Sequence, residues 1–269
     1  MANKTELRTG NGFTTIGTRR RQRVRAKDNV VKPVEVIEKV VAHEIRLSTP
    51  PTGELICTIT GTTPLVTHAW DAKTKRQMLS GMMGEKPLER EKKCPEEEFI
   101  GSIYWLAGEK PRPRIDEKSK IKSYDPAEMI KCLEGATIGL PVSGLKRAMV
   151  GTGRFILGTP MTQLKAMFFV HGMQDKDDDF STLEYSKLRS GVPKMREDLV
   201  RIGKNQPDIR YRAEFFPWST EVRIEFRAAC ISAEKVANYL HQAGIYQGLC
   251  EMRPEKGKAY GQFAVTAIR

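Results

Sequence analysis

No run of eighteen apolar residues occurs in this chain of 269 residues, and its N-terminus has no apolar core of a secretory signal. The sequence therefore reads as that of a protein without a signal peptide or a membrane-spanning helix. Cysteine is sparse: five residues, at 57, 94, 132, 230 and 250, an odd number with no CxxC spacing. That pattern speaks against a disulfide framework and a structural zinc site, and for free thiols in a reducing cytoplasm. The four histidines, His43, His68, His171 and His241, form neither HxxxH nor HExxH. GxSxG, a P-loop and a dinucleotide fingerprint are absent too. No catalytic residue, metal site or cofactor is expected. The crowded carboxylates Asp175, Asp177, Asp178 and Asp179 are the exception that a divalent cation would use, although the run lacks the ligand spacing of a calcium loop and reads equally as a solvated turn.

Hydrophobic residues make up 39% and charged residues 29%, so a core must coexist with long polar segments. The net charge of +12 is unevenly spread. Residues 1–34 carry nine Lys or Arg against two acids, residues 35–193 carry 23 against 22, and residues 194–269 carry 13 against nine. An excess of positive charge confined to the two ends attracts phosphate backbones and releases their counterions. Residues 1–34, with Arg19, Arg20, Arg21, Arg23 and Arg25 and few large apolar side chains, read as a flexible, disordered basic arm.

Along the rest of the chain, residues 54–60 alternate as a strand, 71–83 read as a polar helix, and 96–106 as a helix with acids in its first turn. Residues 107–126 show no period and read as a loop. Ile138–Val142 reads as a strand, Ser143 as the cap of a helix over 144–155, and 167–171 as a strand. Residues 208–216 and 219–227 read as the two arms of a hairpin, the second with Val222, Ile224 and Phe226 on one face and Glu221, Arg223 and Glu225 on the other. A helix capped by Ser232 is expected to stop at Gly244, followed by a short apolar segment at 245–250, a basic glycine loop, and a last strand over 262–268. This order implies an α+β fold with helices on one face of an antiparallel sheet, of ferredoxin-like (RRM-related) type. The expected domains are the arm over 1–34 and one domain over 35–269 with an insertion at about 70–135.

Two stretches combine charge with aromatics. The loop RPEKGKAYGQF at 253–263 sets Lys256 and Lys258 around Gly257, with Tyr260 beside them. Arg210 and Arg212 share one strand face at period two and flank Tyr211. Lysines and arginines suit phosphates, and Tyr211 and Tyr260 are the stacking candidates for bases. The plainer reading of both stretches is a solvated hairpin loop and a solvated strand face.

The segments TPLVTHAW (63–70), GLPVSGLKRAM (139–149), VRIG (200–203), DIRYRAEFFPWSTEVRI (208–224), ISAEKVANYLHQAG (231–244) and RPEKGKAYGQFAV (253–265) resemble a family of phage and prophage proteins. The SGLKRAM helix start and the late glycine loop are more distantly similar to the RAMP superfamily, whose ferredoxin-like proteins form the backbone subunits of multi-subunit CRISPR effector complexes. That resemblance implies a RAMP-like core and places Ser143, Lys146 and Arg147, with the loop 253–261, against nucleic acid. The late loop departs from the pattern in holding only Gly257 and Gly261. The function expected from the sequence is non-catalytic binding of single-stranded nucleic acid, DNA or RNA, by a homo-oligomer or a multi-subunit ribonucleoprotein. The alternatives are a guide-RNA-binding subunit, a metal-dependent nuclease using the acidic turn, and a phage structural protein.

Overall fold

The computed structural model describes Leu7–Thr9, Gly12–Thr14 and residues 49–70, 72–84, 92–156, 158–173, 184–202 and 206–269. The chain divides into two units, Met1–Leu47 and Ser48–Arg269. In the first, β1 (Leu7–Thr9) and β2 (Gly12–Thr14) pair antiparallel. Arg19, Arg20, Arg21, Arg23 and Arg25 lie outside the described residues, as does the acidic turn at 175–179.

The second unit is α+β. Its elements are β3 (Thr52–Gly61), β4 (Leu65–Val66), α1 (Ala72–Met82), α2 (Pro95–Gly101), β5 (Trp105–Ala107), β6 (Arg114–Ile115), β7 (Lys122–Ser123), α3 (Pro126–Glu134), β8 (Thr137–Pro141), α4 (Val142–Gly151), α5 (Met161–Met167), β9 (Phe168–Gly172), β10 (Tyr185–Ser190), β11 (Lys194–Ile202), β12 (Gln206–Phe215), β13 (Trp218–Arg227), α6 (Ala233–Tyr246) and β14 (Phe263–Ile268). Seven strands form one sheet in the order β14-β3-β13-β10-β8-β5, with β9 also pairing β13, and every pairing is antiparallel. Within it, β3, α4, β9, β13, α6 and β14 occur in that order along the chain, with other elements inserted between them, while their strands lie in the order β14-β3-β13-β9. This is the connectivity of a split β-α-β pair.

β13 alternates without a break: Trp218, Thr220, Val222, Ile224 and Phe226 are buried, and the residues between them are half-exposed. The buried set meets Leu145 and Met149 of α4 and Val236 and Leu240 of α6 in one core. α6 starts as expected, with Ser232 Oγ accepting from the Lys235 amide at 3.4 Å. It does not stop at Gly244. That glycine lies inside the helix because a Cβ there would collide with the Phe263 carbonyl of β14, so helix and strand can approach this closely only over glycine. The apolar segment expected after it is the helix end and a loop, with one isolated bridge between Val66 and Glu251.

Three further expectations change. α4 starts at Val142, so Ser143 lies in its first turn, and no side chain caps the helix. α2 ends at Gly101, where the buried Ser102 hydroxyl donates to the Phe99 carbonyl at 2.7 Å and accepts from the Ala213 amide at 2.8 Å, tying the helix end to β12. Finally, β12 and β13 are not a hairpin. Pro217 between them has no N–H for a ladder, and the strands part there: β13 stays in the large sheet, while β12 pairs with β11 along its whole length and with β4 at its end. The result is a ribbon, β11–β12, that packs on α2. The stretch 107–126 contains the small β6–β7 hairpin. Among the described residues, no helix is long and apolar enough to cross a membrane.

Candidate nucleic-acid interface

The start of α4, the end of β8 and the loop after α6 enclose a cleft of about 380 Å³, referred to below as the α4 cleft. Ser143, Gly144 and Arg147 form one wall and Glu251, Arg253 and Glu255 another. Two residues that are not glycine, Cys250 (φ 59°) and Met252 (φ 56°), adopt left-handed backbone in this loop, a conformation that persists only where surrounding bonds impose it. Those bonds are present: the Leu249 amide donates to the Gly261 carbonyl (2.9 Å), the Tyr260 amide to the Met252 carbonyl (3.1 Å), and Arg253 to the Cys250 carbonyl (2.8 Å). Arg253 also binds the Glu255 carboxylate at 2.7 and 2.9 Å, and this bond holds the carboxyl below its usual range. Burial pushes the Cys250 thiol up to about 12, so it stays protonated.

A second cleft, of about 570 Å³, lies between α1, α2 and the ribbon, and Arg201, Arg210, Lys73 and Lys93 line it together with Trp70. Trp70 is 57% exposed, unusual for the largest side chain. A third, of about 530 Å³, runs past Trp70, Trp105, Tyr104 and Tyr185, and a fourth, of about 350 Å³, past Lys146, Phe169 and His171. The clefts are linked by residues they share. His68 lines the first and second, Tyr104 the first and third, Trp70 the second and third, and Ser143 the first and fourth. His68 stands at the junction with its pKa lowered, by burial first and then by Arg212.

The residues singled out in the sequence fall into two groups. Ser143 and Arg147 are exposed on the α4 cleft, facing the loop that carries Lys256 and Lys258. Lys146 reaches sideways: its ammonium sits 4.2 Å from the centre of the Phe169 ring, and burial lowers its pKa. Lys256 is 3.6 Å from Glu251, and Lys258 is exposed. Arg210 lines the second cleft with its Nε 2.6 Å from Asp208.

The second group is turned inward. Arg212 is only 8% exposed and pairs with Asp198 at 3.4 Å. Tyr211 is half-buried; a bond to Glu197 comes first among the causes that raise its hydroxyl pKa, and its amide donates to Glu98 at 3.2 Å. The Tyr260 ring lies 4.4 Å under the Arg196 guanidinium and its hydroxyl accepts from the same group at 2.8 Å, so one ring face is already covered. Arg196 is the hub: it also binds Asp198 (2.7 Å) and Glu214 (2.8 Å), bonds that outweigh burial and hold it above its usual value. Its spacing of 64 residues from Tyr260 leaves no local signal. Among the described residues, no group of three His, Cys, Asp or Glu side chains is placed to hold a metal ion.

No family model matches this chain, and no curated protein matches it. Among solved structures, 21 chains are similar. One belongs to the cryo-EM structure of the Type III-B Cmr-beta bound to cognate target RNA, with 13% sequence identity and a TM-score of 0.40 over 81% of this chain. The match spans 60% of that chain's length.

Proposed function

We propose that this protein binds single-stranded nucleic acid, without catalysis, along the groove that the four clefts make together. The observation that carries the reading is that neighbouring clefts share lining residues and set exposed or half-exposed cations (Arg147, Arg201, Arg210) beside exposed or half-exposed aromatic rings (Trp70, Tyr104, Tyr185). A single strand asks for both along its length, charge for each phosphate and a flat face for each base. In this reading the split β-α-β order is a ferredoxin-like, RAMP-like core, the arginines at 19–25 add sequence-independent attraction, and the chain works in a multi-subunit or homo-oligomeric assembly.

The test is binding of labelled oligouridylate and oligothymidylate, followed by anisotropy across a salt series. Log affinity should fall linearly with log salt, by about 0.7 per phosphate neutralised. Arg147→Glu should weaken every sequence alike and reduce the slope by about 1. Absence of binding at low salt, or a slope untouched by Arg147→Glu, would overturn the reading.

A further inference from the structure

An aromatic pair stands outside the groove, where α4 and α6 end together. Phe155 follows the short 3-10 turn Thr152–Arg154 after α4, and Tyr246 is the last residue of α6. Their rings stack, with centroids 5.1 Å apart and planes 28° from parallel, yet Phe155 is 56% exposed and Tyr246 47%. The packing of the two helices accounts for the meeting. Gly151 lies against Gln247 so closely that a Cβ would touch that side chain, and this approach brings the two chain ends side by side. It does not account for the exposure, since both rings stay open to solvent while Leu164, against Gly153, and Ala243, one turn before Tyr246, are fully buried.

The surroundings are cationic. Between Glu134 and Asp175 the chain has no acidic residue, but it has Lys146, Arg147, Arg154 and Lys165. Arg154, next to Phe155, is exposed. Glu255, on the wall of the α4 cleft, lies near enough to both Arg147 and Arg154 for their charges to act on its carboxyl. Arg147 on the cleft and Arg154 beside the aromatic pair are seven residues apart, about two helical turns or about 11 Å. Glu255 is itself held by Arg253 at 2.7 Å, so flat exposed rings beside the exposed Arg154 complement a polyanion carrying bases. A protein partner would need no such charge.

Resting on the function proposed above, we propose that Phe155 and Tyr246 form a stacking platform for a base of the bound strand where it leaves the α4 cleft, with Arg154 on the adjoining phosphate. Stacking of one base on an aromatic side chain is strong enough to read as a change of about ten-fold or more in affinity.

The experiment compares the full chain with Phe155→Leu/Tyr246→Leu, in which leucine keeps the apolar bulk and loses the π-face, on oligouridylates of increasing length. Wild type should gain affinity at a length step that the double variant lacks. On the longest oligomer the variant should bind about ten-fold more weakly with an unchanged salt slope, because the lost contact is not electrostatic. Arg154→Gln should instead lower the slope. If wild type binds and the double variant binds equally at every length, the platform is refuted while the groove stands; if wild type binds nothing, the groove reading falls first. Loss of concentration-dependent self-association in the double variant, with oligonucleotide affinity intact, would make the pair a contact between copies and also refute the platform.

Discussion

Asp198→Ala should be among the most damaging single changes in the ribbon, for reasons of charge rather than volume. Asp198 is only 4% exposed, and its two oxygens serve two guanidiniums, Arg196 Nε at 2.7 Å and Arg212 at 3.4 Å. Those arginines are direct cross-strand partners on β11 and β12, a like-charged arrangement that is unfavourable by itself. Without the carboxylate Arg196 keeps Glu214 and Tyr260, but Arg212 loses its ion pair while still buried, and its Nε already lacks a hydrogen-bond partner among the described residues. Breaking a buried pair from one side costs about 3–5 kcal/mol. For a unit of this size each kcal/mol is worth about 2–4 °C, so the melting temperature should fall by roughly 6–20 °C. Thermal unfolding by circular dichroism reads the global loss, and amide hydrogen exchange over β11 and β12 reads a local one if the ribbon opens by itself. The double change Asp198→Leu/Arg212→Met removes both charges and should recover most of the loss. A melting temperature within about 2 °C of wild type together with unchanged ribbon exchange would refute the argument. A double variant as unstable as Asp198→Ala would assign the cost to packing instead.

Two further outcomes follow from the core and the junction. At Gly61 in β3 a Cβ would fall inside the Trp218 indole, which is buried and fixed by its Nε1 donating to the Thr63 carbonyl at 2.9 Å; Gly61→Ala should cost about 1–3 kcal/mol or more in urea unfolding, whereas Gly144→Ala in α4, where a Cβ meets nothing within 4 Å, should stabilise by about 0.5–1 kcal/mol, and equal effects would refute the contrast. His68 is held below the ordinary 6.5 by burial and by Arg212 and Arg210, against Glu251 and Glu98. The unfolded chain therefore binds the extra proton first, so this stability is present above about 6.5 and is lost as pH falls from there to the folded value. His171, lowered by burial and Arg223, acts in the same direction. The urea midpoint should drop less on acidification in His68→Gln than in wild type, and parallel curves would sink the assignment.

What the sequence could and could not disclose follows from the range of each signal. The alternation of Val222, Ile224 and Phe226 is a property of one strand, and it appears in β13 as read. The pairing of that strand is not: adjacency suggested β12 as partner, and Pro217 sends β12 to β11 and β4 instead. Period two rightly set Arg210 and Arg212 on one face, but a shared face does not reveal depth. Arg212 is buried because β11 lays Asp198 beside it. The helix after Ser232 outran Gly244 for the same reason, because the glycine answers to Phe263 and not to the helix. The clefts draw their walls from residues near 70, 104, 143, 185, 210 and 251, and no window of sequence contains them together.

The open face of the sheet argues for the groove from the other side. An RRM reads RNA with aromatic residues on its sheet surface. Here that surface carries Glu221, Arg223, Glu225 and Arg227 of β13, and they are neutralised in place: Arg189 and Arg269 pair with Glu221 at 2.9 and 3.2 Å, Arg223 with Glu54 at 3.3 Å, and Arg227 with Glu225 at 3.1 Å. Phe169, the aromatic of β9 directly opposite Glu225, has its ring under Lys146 and Arg227. A phosphate approaching this face would have to displace carboxylates already bonded to every nearby arginine. At the α4 end Arg147 and Arg154 are exposed, and the carboxylate that feels both, Glu255, is itself held by Arg253 at 2.7 Å. A split β-α-β order of strands therefore fits the proposed binding at the helix ends as well as it would fit binding on the sheet. On the function proposed above, the strand lies at the helix ends and the loop at 248–261, so charge-reversal of Arg147 and of Arg223 should part company: the first weakening oligonucleotide binding, the second leaving it nearly unchanged.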